Sequence, residues 1–245
     1  MILEDLLELL QKHAPDSVIE QYCIGGHYTG VKLEKEMGVA YTPSDILLSF
    51  ELDNITGADA MRTARLALSD RILERTIGIA TINALSWGII PKRYQVCVGD
   101  PLKRIVIRDK IVVMVGYFPP VAEQLSSIAK DLRIIERKEM EGTHPSEDAE
   151  DVMSDADVII ITGSALIYGG MEVYLQYGMN ADEVIVLGPT ASMLPDPFFE
   201  RGATIVAGIQ ITDPNAALDI ISHAGGVHDL IGKCARKVYF RAGRT

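Results

Sequence analysis

Four segments of this chain end an apolar run on glycine, hydroxyl or carboxylate groups: Val115-Gly116-Tyr117-Phe118-Pro119, Thr162-Gly163-Ser164, Gly188-Pro189-Thr190 and Thr212-Asp213-Pro214. Glycine lets the backbone turn sharply and approach a bound molecule. Each segment also leads toward a helix start, where unpaired N–H groups attract acceptor atoms and anions. The chemistry this predicts is the holding of a small molecule. The first segment departs from the dinucleotide fingerprint, because Tyr117-Phe118-Pro119-Pro120 stands where phosphate-cradling glycines would be. Bulky side chains there obstruct a pyrophosphate and speak against a nicotinamide enzyme of the usual kind. Glu136, twenty residues after Gly116, stands where a ribose-binding acid would. That keeps an adenosine-containing ligand open, and Glu136 reads equally well as the first charge of an acidic run.

Glu136 and Asp213 are the candidate catalytic acids, with no acid–base pair defined by spacing. Ser164 lacks the GxSxG setting of a nucleophile elbow and reads as a helix N-cap. In the first half, Tyr28-Thr29-Gly30 and Asn83 are polar groups in apolar surroundings. Asn83 either caps a neighbouring loop or faces a cleft, and Thr29 is either an ordinary strand residue or a ligand contact. Cys23, Cys97 and Cys234 are far apart, and the five histidines form no HxH or HxxxH pattern. Spacing therefore predicts no metal site. No cofactor can be named.

The elements that position these residues follow from periodicity. Residues 2–13 carry Ile2, Leu3, Leu6, Leu7 and Leu10 at helical spacing. SVIEQYCIG and HYTGVKLEK alternate across Gly25-Gly26 as a hairpin, and GVAYTP is a short third strand. Residues 57–68 and 70–86 then read as helices, the second with Asp70 as its N-cap. Its small residues Gly78, Ala80 and Ala84 permit close approach of another element. A boundary near Gly99-Asp100-Pro101 divides the chain into 1–99, a small α+β domain, and 100–245. In the second part, strands in KIVVMVGYFP, RIIERKE, DVIIITGSAL, DEVIVLGPT and GATIVAGIQITD alternate with helices in VAEQLSSIAKDL, SEDAEDVMSDA, MEVYLQYG and PNAALDIISHA. That alternation predicts an α/β fold, a Rossmann-like parallel sheet with helices on both faces. The final VHDLIGKCARKVYFR is apolar enough to pack back on the domain edge or the first domain.

Net charge is −11, of which residues 110–245 carry −8 (11 basic, 19 acidic). Nine acids lie between Glu136 and Asp157. Such a surface repels phosphate backbones, so a nucleic-acid partner is not expected. No apolar run approaches the roughly 18 residues that cross a bilayer, and the acidic MILEDLLELL start lacks a leader's basic residues. The expectation is a cytoplasmic protein without a membrane partner, a homo-oligomer remaining open.

The segments GGHYTGVKL, TIGIATINAL, VVMVGYFPP, ADVIIITGSALIYGGMEVYL, VIVLGPTASMLPDPFFERGATIVAGIQITDP and GGVHDLIGKCARKV together resemble a prokaryotic family known as "putative heavy-metal chelation" proteins. The resemblance covers nearly the whole chain. It implies an enolase-N-terminal-like domain before a Rossmann-like domain, with a small-molecule site between them. It also implies a role in making or handling metal-chelating, pterin- or flavin-like compounds. Carried over by motif, the cleft involves Thr29 and Asn83 from the first domain. From the second it involves Gly116, Tyr117, Phe118, Thr162, Gly163, Ser164, Gly188, Pro189, Thr190 and Asp213. The expected ligand is a small organic molecule or a metal chelate. Three functions stay open: an enzyme of condensation or hydrolysis, a non-catalytic carrier of a chelate or nucleotide-like ligand, and a component of a larger assembly.

Overall fold

The computed structural model describes residues 1–44 and 53–243. The chain opens with helix α1 (Ile2–His13), which buries Ile2, Leu6, Leu7 and Leu10 on one stripe. A three-stranded antiparallel meander follows: β1 (Gln21–Ile24), β2 (Tyr28–Lys32) and β3 (Met37–Tyr41). Its register sets Thr29 opposite Ala40 and Tyr28 opposite Tyr41. Helix α2 (Ala60–Ala64) is capped by the Asp59 carboxylate, which accepts from Arg62 N–H, and it tightens into a 3₁₀ turn over Arg65–Leu68. Helix α3 (Ile72–Trp87) comes next, buried along nearly its whole length. Its N-cap is Arg71, one residue past the expected Asp70, whose side chain points into solvent instead.

The small residues of α3 are spacing devices. A Cβ on Gly38 of β3 would stand 2.1 Å from Ala80 O and 2.3 Å from Ala84 N, and one on Gly78 would stand 2.0 Å from Ala67 N. The small sheet lies directly on the α3 backbone, and only glycine and alanine permit that contact.

After α4 (Ile90–Arg93), strand β4 (Cys97–Val98) already joins the second sheet. The parallel strands are β5 (Ile111–Val115), β6 (Asp131–Ile135), β7 (Val158–Thr162), β8 (Glu183–Leu187) and β9 (Ile205–Ile211). Between them run α5 (Pro119–Ser126), α6 (Ala149–Met153), α7 (Ala165–Tyr168), α8 (Met171–Tyr177) and α9 (Asp196–Phe199). Helix α10 (Pro214–Ser222), α11 (Val227–Leu230) and β10 (Ala235–Arg241) close the chain. The final apolar segment thus returns as an antiparallel strand beside β9, carrying β4 on its outer edge.

The sheet order is β4-β10-β9-β8-β7-β5-β6. The five parallel strands therefore run second-first-third-fourth-fifth, a doubly wound arrangement whose direction reverses between β5 and β7. Alternation within β5 separates the two faces. Val112 and Met114 pack with Ala122 and Leu125 of α5, whereas Val113 and Val115 join a core with α6, α8, α1 and α3. Helices thus cover both faces, and one continuous apolar core links the small unit to the large sheet. On its other side the meander meets α10, with Met37 and Val39 packed against Ala217 and Ile221.

Candidate functional site

Crevices in open parallel sheets form beyond the carboxyl ends of the strands where strand order reverses, because the crossover helices leave the sheet in opposite directions there. At that point lies a cavity of about 630 Å³. The ends of β5, β6, β7 and β8 supply its floor, and Tyr28 and Tyr41 of the meander supply the facing wall. Of the predicted residues, Gly116, Tyr117, Phe118, Glu136, Thr162, Gly163, Ser164, Gly188, Pro189 and Thr190 all line this one space.

Three predicted residues stand away from it. Thr29 is fully buried, and its hydroxyl pairs with Thr42 Oγ1 at 2.9 Å, since strand alternation points it away from the side Tyr28 faces. Asn83 is also fully buried; its amide donates to Val39 O at 2.7 Å and Thr190 O at 3.0 Å. It therefore ties the fourth strand's turn to the meander from behind the cavity wall. Asp213 is exposed and caps α10, accepting from Asn215 N and Ala216 N at 3.1 Å each. Its strand, β9, is two positions from the reversal, too far along the sheet edge to share the crevice.

The first turn is built against phosphate. Pro119 and Pro120 open α5 without N–H groups, and the next two, Val121 N and Ala122 N, both return to Phe118 O at 2.9 and 2.8 Å. Gly116 N donates to Ile135 O at 2.8 Å and Tyr117 N to Glu136 Oε2 at 2.9 Å. Of the turn's backbone donors, those of Pro119 and Pro120 are absent and those of Gly116, Tyr117, Val121 and Ala122 are already used. Glu136 is engaged on both oxygens, since its Oε1 also accepts from Lys138 N at 3.2 Å.

The fourth turn is rigid. Gly188 has φ +132° and ψ 163°, a conformation essentially closed to residues with a Cβ. The Tyr41 N–H donates to Thr190 Oγ1 at 3.0 Å, and buried Ser192 donates to Pro189 O at 2.7 Å while accepting from Ile209 N at 2.9 Å. The third turn carries a hydroxyl pair, Thr162 Oγ1 and Ser164 Oγ at 2.9 Å, so Ser164 does not spend its side chain capping α7.

The remaining wall was not singled out from sequence. Tyr41, Arg137, Lys138, Tyr168 and Tyr174 all face the cavity, and the Arg137 guanidinium lies 4.1 Å from the centroid of the Tyr168 ring. Tyr28 could have been found by alternation, since a buried Thr29 puts its neighbour on the opposite face. Arg137 and Lys138 were hidden by the acidic run around them. Burial, with Tyr41 adding to it, pushes the Tyr28 phenol up to about 12, so it remains a protonated donor.

Among the described residues no three His, Cys, Asp or Glu side chains come together. Burial pushes the Cys23 and Cys234 thiols up, away from the thiolate that soft metals select. Among the described residues, no helix is long and apolar enough to cross a membrane.

A family model described as "Putative heavy-metal chelation" matches residues 100–240, and a second with the same description matches residues 7–86. An uncharacterised protein of Methanocaldococcus jannaschii is 28% identical over 98% of this chain and 97% of its own. A crystal structure of a protein of unknown function from Pyrococcus horikoshii superposes with a TM-score of 0.87 at 23% identity, covering 99% of this chain and 100% of the other. One from Desulfitobacterium hafniense gives 0.84 at 21% identity, covering 98% of each. These two likenesses concern the fold.

Proposed function

The chain belongs to the "putative heavy-metal chelation" family, and from that footing we propose that it binds a small organic ligand, free or as its metal chelate, in the crevice between units 1–99 and 100–245. The observation that carries this reading is convergence: the tips of four neighbouring strands and two tyrosines of the small sheet enclose one cavity of about 630 Å³. A volume in this range suits a small organic ligand or cofactor. In this reading a heavy metal arrives as cargo inside its own chelator, since among the described residues no three His, Cys, Asp or Glu side chains come together to cage it.

Binding is better supported than condensation or hydrolysis. Proton transfer needs an acid or base with an oxygen or nitrogen to spare in the cleft. Glu136, the carboxylate that lines the crevice, is already oriented by two backbone N–H groups, and Asp213 stands outside the crevice as a helix cap. The test is a thermal-shift panel of pterins, flavins, nucleotides, metal chelates and the same metals bare. Stabilisation by organic ligands or chelates should be abolished in Ser164→Phe, which sets a ring on a residue that lines the cavity. Stabilisation by bare metal alone, or a shift unaffected by Ser164→Phe, would overturn this reading.

A further inference from the structure

The cavity wall carries more positive than negative charge. Its charged side chains are two cations, Arg137 and Lys138, against the single carboxylate of Glu136, which already accepts two backbone N–H groups. The Thr162–Ser164 pair contains two hydroxyl hydrogens and shares one hydrogen bond, which leaves the other hydrogen for a ligand acceptor. The Tyr28 hydroxyl, a phenol of the cavity wall protonated at neutral pH, adds a further donor. The chain's other acids do not cancel this pattern at close range. Glu139 and Glu141 follow Lys138 in sequence but do not line the cavity. Remote charge is screened over about 8 Å at physiological salt.

The apolar part of the wall is aromatic. Six of the chain's fifteen aromatic residues line this one space: Tyr28, Tyr41, Tyr117, Phe118, Tyr168 and Tyr174. Flat rings receive a flat ring by offset stacking or edge-to-face contact. Arg137 over Tyr168 is a cation set on a ring face, an arrangement that keeps guanidinium N–H groups available at its edge for a planar anion.

We propose that the occupant of this crevice is a flat aromatic or heteroaromatic anion, its ring among the tyrosines and its oxygens on Arg137, Lys138 and the Thr162–Ser164 pair. The inference rests on the crevice being the binding site, and it names the chemical class that the site selects.

Three probes separate the parts of this claim: 2-naphthoate, its neutral amide, and the saturated decalin carboxylate. Affinities are measured on the full chain by ligand-observed NMR titration, for wild type, Arg137→Gln/Lys138→Gln and Ser164→Phe. Both cations are solvent-exposed, so the double variant should fold normally, which its melting temperature checks. Naphthoate should bind at least tenfold more tightly than either comparison probe. The double variant should lose the preference for naphthoate over the amide while still binding the amide, and Ser164→Phe should abolish binding of all three. Equal binding of amide and acid refutes the anion requirement, and equal binding of saturated and aromatic acids refutes the ring requirement. Either result leaves the crevice reading standing as long as Ser164→Phe blocks. Binding that survives Ser164→Phe refutes the crevice reading itself. No binding by any probe overturns the class inference, and a molecule copurifying with wild type but not with Ser164→Phe would still support the crevice.

Discussion

Replacing Asn83 by alanine separates an architectural role from a ligand contact. The side-chain amide donates to Val39 O in the small sheet and Thr190 O in the turn after β8, at 2.7 and 3.0 Å. Removing it strands two carbonyls and opens a small void, at about 1 kcal/mol net for each hydrogen bond plus a packing loss of similar size. The amide oxygen has no hydrogen-bond partner among the described residues, so its removal returns about 1 kcal/mol. The net loss is about 2 kcal/mol. For a chain of this size that lowers the melting temperature by roughly 4–8 °C. Asn83→Asp should be worse at neutral pH, because carboxylate oxygens would face carbonyl oxygens, and it should recover partly as acidification restores a donor. Differential scanning fluorimetry from pH 4 to 8 with the three proteins reads both effects. If Asn83→Ala melts within a degree of wild type yet loses ligand binding, the amide serves the ligand and the seam argument is wrong.

Other perturbations follow from the same geometry. Gly188→Ala should cost about 1–3 kcal/mol through backbone strain alone, because φ is +132° while the added Cβ would meet nothing nearer than 3.8 Å; a melting temperature equal to wild type would contradict this. Asp157 accepts from Ile111 N at 2.8 Å and pairs with Lys110, and the backbone N–H above all, with Lys110 beside it, holds its carboxyl below the usual range. A lowered folded-state value stabilises above about pH 4 and is lost as pH falls below it. Asp157→Asn should therefore lower stability at pH 7 and flatten the acid limb of a melting-temperature profile, and an unchanged limb would count against it. Tyr28→Phe should leave the melting temperature within about 1 °C while weakening naphthoate several-fold, the loss of one hydrogen-bond donor; undiminished affinity in the titration would remove Tyr28 from the binding wall.

Much of the fold is legible because the parallel strands are buried on both faces and read as β-branched runs, as in Ile111–Val115 and Val158–Thr162. The close contact at α3 is also visible, since Gly78 is costly in a helix centre and Ala80 and Ala84 beside it leave the backbone open to a neighbour. Strand order is not visible, because periodicity says how a strand is buried and nothing of its neighbour. That is why Asp213 looked equivalent to the other strand tips, although β9 lies away from the reversal. Asn83 and Thr29 were recognisable as buried polar groups, but their partners, Thr190 O and Thr42 Oγ1, come from other segments. The two prolines after Phe118 told against phosphate from sequence alone, and the hydrogen bonds of Val121 and Ala122 supply the reason. Nothing in the spacing sets Tyr168 and Tyr174 apart, and only the third dimension brings them to a cavity.

What matters most is whether the crevice at the β5–β7 reversal holds a small organic molecule. Native mass spectrometry of the full chain purified from its own cells, wild type beside Ser164→Phe, tests it directly. Wild type should carry a bound mass whose released component is an aromatic anion, free or metal-loaded, and the variant should lack it. A ligand retained equally by both proteins, or a bare metal ion as the sole adduct, would contradict that expectation.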